Sequence, residues 1–515
     1  MSAPDSTVSL AAPVPVPLYQ SLGAHYLAAI RAGALKPGDR FPSVRQLMRS
    51  HSVSLTTALR LCRELEDQGW LQAKPRSGYF VQQARRASLL PASDWPVVAA
   101  EGAGAVDSAP YVGIHARVSE ILARGQQVPV RVNLALAVGV PELYPTAVLQ
   151  RGMQRILRQH PELLTTMTRR HGHPLLRQVV ARRMLERGVN VAPHELIITH
   201  GCTEAVNLAL RAVTQPGDTV AVESPTFYGL LQVLETLGLR ALEIPTSPHT
   251  GLSLDALAFA LEQGEADPSR RIRAIVAMPT LHNPLGCTMP DAHKERLVRL
   301  CEAHDVALIE DDIYNGMGAP GERLQPAKAW DRSGHVIYCD SLNKIVAPGL
   351  RLGWMLAGRW QERVEMIKYT QSRYTPELPQ VVVADFLGSP GMNRHLHHVQ
   401  STLQRQREQM AEAIATHFPP GTRLSVPSGG MLLWIELPAG VSGDALFEAA
   451  LAQGIKIAPG SMFSNGPRYN QFIRLSCAAP HSAEIAAAVR ELGALVRQMQ
   501  TQRADDVQSD QRAMR

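Results

Sequence analysis

Apolar residues recur every three or four positions over Leu18–Gly33, and this period predicts an amphipathic helix that Gly33 can stop. A Pro37-Gly38 turn follows. Ser43 is placed to cap a second, short helix over Val44–His51. Ser54 is placed to cap a third, ending near Gly69, with Ala58, Leu61, Cys62 and Leu65 on its apolar face. Two helices joined by a tight turn satisfy the helix-turn-helix requirement. Trp70–Val81 then reads as two short strands around a basic turn, a wing. The pattern lapses over Gln82–Pro110, rich in Ala, Pro, Ser and Gly, which predicts a flexible tether. From about Arg131 to Gln500 a different rhythm holds. Short apolar runs (Leu196–Thr199, Thr219–Val222, Ala274–Met278, Ala307–Glu310) alternate with amphipathic helical stretches. That alternation predicts an α/β domain built on a mainly parallel sheet, with chemistry at the strand ends and the loops after them. The expected division is a flexible start over 1–17, a helix-turn-helix unit over 18–82, a linker over 83–110, an α/β domain over 111–500 and a polar, frayed tail over 501–515.

A chain of 515 residues is too long for one hydrophobic core, which agrees with this division. Charge sharpens it. Between Pro17 and Arg86 lie 11 Lys/Arg and 4 Asp/Glu, whereas the whole chain carries a net +6. The positive excess sits in the first unit, as a nucleic-acid-binding module needs, although a solvated basic face gives the same count. Six scattered cysteines without a C-x-x-C pair read as reduced thiols in a cytoplasmic protein, with no metal-ligand spacing. The N-terminus lacks the basic start of a signal peptide, and no apolar run is long enough to cross a bilayer, so no membrane partner is expected.

The first unit contains P-G-D-R-F-P-S-V-R-Q-L, then V-S-L-T-T-A, then S-G-Y-F-V. In order and spacing it resembles the GntR winged helix-turn-helix. The resemblance implies double-stranded DNA as partner, with Arg45 and the start of the third helix (Ser54, Thr56, Thr57) facing phosphates and base edges. Arg76 and Gly78 would bring the wing near the minor groove. Leu55 departs from the family, which often carries arginine there; leucine can touch a thymine methyl but cannot pair bidentately with guanine.

In the second domain, Thr199–Leu210 is a strand end, a glycine turn and a helix start, so Gly201, Cys202 and Thr203 can aim backbone N–H groups at a phosphate. Glu223–Gly229, Pro279–Gly286, Leu308–Tyr314, Ser341–Trp354 and Asn470–Ser476 follow in the order of the motifs of fold-type I aminotransferases, which they resemble. The resemblance implies pyridoxal 5'-phosphate as cofactor and a larger sheet domain with a smaller C-terminal α+β subdomain. Lys344 would form the Schiff base, which needs a neutral amine and hence burial beside a cation. Phe227, or alternatively Tyr228, would stack on the pyridine ring, unless both are simply core aromatics. Asn283 and Tyr314 would serve the phenolic oxygen. Asp311, with Asp312 as runner-up, would keep the ring nitrogen protonated. Ser341 and Arg351 would hold the phosphate, and Arg474 would grip a substrate or effector carboxylate through its planar guanidinium. Two departures stand out. Asn343 replaces the serine usually found before the lysine. Met167 stands where a tyrosine usually reaches the neighbouring subunit's cofactor, with Arg169 or Arg170 as possible substitutes.

Together the halves resemble the MocR branch of the GntR regulators. The resemblance implies a transcription regulator, commonly a homodimer, that senses an amino acid, an amine or the cofactor itself. The alternative is a working aminotransferase of amino acids, with a 2-oxo acid as acceptor and an accessory DNA-binding module. Fold alone does not choose between them.

Overall fold

The computed structural model describes residues 22–23, 25–26, 29–30, 34–36, 38–67, 70–74, 78–81, 89–93 and 109–513, with side chains as far as 502 apart from those at 63, 64 and 67. The chain separates into two compact units, Met1–Ser88 and Leu89–Arg515.

In the first unit, α1 spans Val44–His51 and α2 Leu55–Asp67. Ser43 closes a capping box on α1: its Oγ accepts from Gln46 N, and Gln46 Oε1 accepts from Ser43 N. The helix stops at Ser52, whose φ of 51° is left-handed and whose N–H returns to Met48 O. Strands β1 (Leu71–Lys74) and β2 (Gly78–Val81) pair antiparallel, Leu71 opposite Val81. Both of these residues are buried with Phe41, Leu47, Ala58, Leu61, Cys62 and Leu65 in one small core. The apolar stripe expected of the third helix is therefore the face it buries. Of the first expected helix, the described residues Leu22, Gly23, His25, Tyr26, Ala29 and Ile30 are helical.

The second unit centres on an eight-stranded sheet. Its strands in chain order are β3 (Leu196–Thr199), β4 (Thr219–Ser224), β5 (Arg240–Ser247), β6 (Gly251–Leu252), β7 (Ile272–Ala277), β8 (Ala307–Asp311), β9 (Val336–Ser341) and β10 (Gly353–Leu356). They lie side by side as β3-β10-β9-β8-β7-β4-β5-β6. Only β10 and the edge strand β6 run antiparallel to their neighbours. Successive residues alternate between two helix-covered faces: Val220, Val222 and Ile309 join one core, Ala221 and Leu308 the other. Burial on both faces explains why these strands read as continuous apolar runs. A smaller antiparallel sheet combines β11 (Arg423–Ser425), β12 (Leu432–Glu436), β13 (Ala458–Pro459) and β14 (Phe472–Ser476) in the order β11-β12-β14-β13.

Two expectations need correction. The stretch expected to be a flexible tether includes 89–93, which is fastened to the small sheet. Leu90 O accepts from Leu424 N, Ala92 N donates to Ser425 Oγ, and Ser93 binds Glu436 through both N–H and hydroxyl. The open edge of β11 offers unpaired backbone groups, and any nearby extended segment satisfies them. The polar tail expected from Thr501 belongs instead to a helix running from Ala483 to Ala513, since residues 501–513 contain neither Pro nor Gly to terminate it. Among the described residues no helix is long and apolar enough to cross a membrane.

Candidate functional site

Five mutually parallel strands of the large sheet deliver candidate residues at their carboxyl ends. β3 leads through Gly201 into helix α3 (Cys202–Val213); β4 leads to Phe227 and helix α4 (Tyr228–Thr236); β7 leads to Asn283; β8 ends on Asp311; β9 ends on Ser341, three residues before Lys344. Cys202, Thr203, Phe227, Tyr228, Asn283, Asp311, Tyr314, Lys344 and Arg474, the last from β14, line one cavity of about 190 Å³. Gly201, Ser341 and Arg351 are not among the residues that line it. Gly201 has φ 96°, and a β-carbon there would meet Asn343 Nδ2 at 3.3 Å and Arg351 Nη2 at 3.4 Å. Ser341 is buried, and its Oγ accepts from Asn343 N at 3.4 Å.

Lys344 Nζ donates to Ala137 O at 2.7 Å and lies 5.7 Å from the centre of the Tyr314 ring. Burial, with Arg474 and Arg351 adding repulsion against the pull of Asp311, lowers this lysine to about 8. Burial raises Asp311 to about 6, against the stabilising contacts of the Cys202 thiol and the Ile313 N–H, each 3.2 Å from Oδ1. Asp312, one residue past the end of β8, points the other way. It pairs with Arg187 and accepts from Tyr338 Oη at 2.8 Å, away from the cavity. Burial also pushes the Tyr314 hydroxyl up, and Asn283 Nδ2 donates to it at 3.4 Å.

Arg474 is 2% exposed. It donates from Nη1 to Asn283 Oδ1 at 2.8 Å and from Nη2 to Ala135 O, and it lies 5.0 Å from the centre of the Phe463 ring. Its Nε has no acceptor, and no carboxylate among the described residues pairs with it. Burial lowers it, with Tyr314 and Tyr228 opposing.

Three features carried no sequence signal. The segment Ala135–Val138 walls the cavity and supplies the carbonyls that hold Lys344 and Arg474, but its A-L-A-V composition looks like any apolar stretch. Glu223 and His282 lie side by side, buried in the same wall, His282 Nε2 at 3.2 Å from Glu223 Oε2, while that oxygen accepts from Met278 N at 2.7 Å. The thiol of Cys202 contacts Asp311, whereas the sequence points only to its backbone. Met167 is 85% exposed. Both arginines considered as substitutes for a tyrosine there have acids within the chain: Arg169 pairs with Glu377, and Arg170 lies 3.6 Å from Glu365. All six cysteines are free and buried.

In the first unit, Arg45 is exposed on α1. At the start of α2 Ser54 and Thr56 are exposed, and Ser54 Oγ accepts from Thr57 N at 3.2 Å while lying 2.9 Å from Thr57 Oγ1. Gly78 opens the second strand of the wing with φ 93°. Arg76 lies outside the described residues.

The family model for aminotransferase class I and II matches residues 133–492, and that for bacterial regulatory proteins of the gntR family matches residues 18–81. The uncharacterized HTH-type transcriptional regulator YjiR of Escherichia coli is 34% identical over 479 residues, covering 93% of this chain and 98% of its own. Among solved structures, a multiple substrate aminotransferase from Thermococcus profundus superposes with a TM-score of 0.69 at 26% identity, over 75% of this chain and 95% of its own. LysN, an α-aminoadipate aminotransferase from Thermus thermophilus complexed with N-(5'-phosphopyridoxyl)-L-leucine, does so with a TM-score of 0.67 at 28% identity, over 75% and 95%. A gntR-type winged helix-turn-helix followed by an aminotransferase class I and II domain, aligned along nearly its whole length with an HTH-type transcriptional regulator, places the chain among the MocR-type regulators of the GntR family.

Proposed function

We propose that the second unit binds pyridoxal 5'-phosphate on Lys344 and that the protein uses the site to sense a carboxylated amino compound and adjust its binding to DNA. One observation carries the reading: Lys344, held near 8, shares a cavity with Arg474, a buried guanidinium facing no carboxylate among the described residues. A buried cation without a counter-ion is costly, and a site that takes up an anionic ligand relieves that cost.

The donor set suits this cofactor. Asp311 can hold a proton on a ring nitrogen, Asn283 and Tyr314 can share a phenolic oxygen, and Phe227 or Tyr228 can cover a ring face. The backbone N–H groups of Gly201–Thr203 at the start of α3, with Ser341 and Arg351, suit a phosphate, and the absent side chain of Gly201 keeps that cradle open. When bound, pyridoxal phosphate supplies a carbonyl that condenses with amines and a ring that withdraws electrons. Lys344, lowered to about 8 and so more readily deprotonated than an ordinary lysine, supplies the amine that the carbonyl needs, and Ala137 O orients it. Arg474 binds the ligand carboxylate, for which its unpaired Nε–H is available, and so turns the ligand's amino group toward Lys344.

For sensing, the ligand must favour one arrangement of the regulator over another; equal affinity for both shifts nothing. A cytoplasmic homodimer with two DNA-binding units completes the proposal. Catalysis is the second reading, favoured by the retention of both Lys344 and Arg474 in one cavity. Lys344→Ala should abolish the visible absorbance of the cofactor-loaded protein while leaving its far-ultraviolet circular dichroism unchanged. An unaltered spectrum would remove Lys344 from the site. Titration of the wild-type protein with amino acids separates the two readings. A stable spectral shift without product supports a sensor; steady formation of a 2-oxo acid from the amino donor makes the protein a transaminase.

A further inference from the structure

We infer that Leu55 is a specificity-determining residue of the DNA-binding unit and that it reads the 5-methyl group of a thymine in the major groove. The inference rests on the reading of that unit as a DNA binder and names what one of its side chains selects.

Leu55 is the first residue of α2 and is 53% exposed. The buried stripe of the helix begins only at Ala58 and continues through Leu61, Cys62 and Leu65. Leu55 therefore adds nothing to the core that the helix already has. Its neighbours are of another kind. Ser54 and Thr56 are exposed, and the Ser54 hydroxyl is committed to capping the helix through Thr57 N. An exposed branched aliphatic side chain thus stands at the N-terminal turn, between two small hydroxyl residues.

In a helix-turn-helix the N-terminal turn of the second helix is the part that meets base edges. Leucine has no donor or acceptor, so it cannot answer the hydrogen-bonding edges of guanine, cytosine or adenine. The one apolar group in the major groove is the thymine methyl. Placing Leu55 against any other base would desolvate a polar edge without replacing its hydrogen bond. The side chain therefore selects thymine both by contact and by penalty against the alternatives. The flanking Thr56 hydroxyl remains available to a phosphate or a neighbouring base.

The full-length protein is first used to select bound duplexes from a pool of random sequence. The selected site is then resynthesised with each thymine in turn replaced by deoxyuridine, which lacks only the methyl. Wild-type protein and Leu55→Ala are titrated against each duplex. One thymine should stand out: removing its methyl should weaken wild-type binding about fourfold, the change that burying about one methylene produces, about 0.8 kcal/mol. Against Leu55→Ala the same replacement should have no effect, while replacements elsewhere should affect both proteins alike. If wild-type and variant respond equally at every thymine, the inference is overturned while the DNA-binding reading stands. If no sequence is enriched and the protein does not retain duplex DNA at low salt, that underlying reading fails, and the inference with it.

Discussion

Replacing Arg474 with methionine separates a binding role from a structural one, because the two predict opposite outcomes. The guanidinium donates to Asn283 Oδ1 and to Ala135 O and sits 2% exposed with no acid among the described residues to balance it. Loss of two charge-assisted hydrogen bonds costs roughly 1.5–3 kcal/mol each. Against that, removing an uncompensated buried cation returns a desolvation penalty of several kcal/mol. The cofactor-free protein should therefore change in stability by no more than about 2 kcal/mol in urea unfolding. Ligand binding should change far more. A carboxylate that loses its paired guanidinium loses about 3 kcal/mol or more, over a hundredfold in affinity. The assay compares one amino acid with the amine that lacks its carboxylate, each titrated into cofactor-loaded protein and followed by absorbance. Arg474→Met should lose the amino acid and retain the amine. Equal loss of both ligands, or unfolding made easier by more than about 4 kcal/mol, would refute the reasoning and mark Arg474 as part of the core.

Two further outcomes concern Asp311 in the same cavity and Arg45 in the first unit. Asp311 has its proton affinity raised from 3.8 to about 6, so the folded state binds more protons than the unfolded state between those values, and the carboxylate increasingly destabilises the cofactor-free protein as the pH rises through that window, fully so above it. Asp311→Asn should stabilise that form at pH 7 by at most about 3 kcal/mol, an advantage that shrinks as the pH falls through 6 toward 4, measured by urea unfolding at each pH. Arg45→Ala should weaken binding to every duplex sequence alike and lower the salt dependence by about one ion, measured by fluorescence anisotropy at several salt concentrations.

The local elements were legible in the sequence because local signals make them. The apolar period over Ala58–Leu65 is the buried face of α2, Ser43 does cap α1, and the continuous apolar runs are the strands of a sheet buried on both faces. Spacing to Tyr314 favours Asp311 with Asp312 as runner-up, and the structure turns the two apart, Asp311 to the Cys202 thiol and Asp312 to Arg187. The edge-strand fastening of 89–93 stayed hidden, since a segment with no period of its own pairs wherever an open edge lies.

By itself the sequence determined the two units, their order, and the residue types able to bind phosphate, carboxylate and a Schiff-base partner. Which of these share one cavity was decided only by the tertiary structure. The carboxyl ends of five parallel strands gather at one edge of the sheet, and β14 of the small sheet brings Arg474 across to them from more than a hundred residues away. The lowered Lys344 and the raised Asp311 belong to that same level, because both shifts arise first from burial, and burial is a property of the assembled fold rather than of any segment of chain.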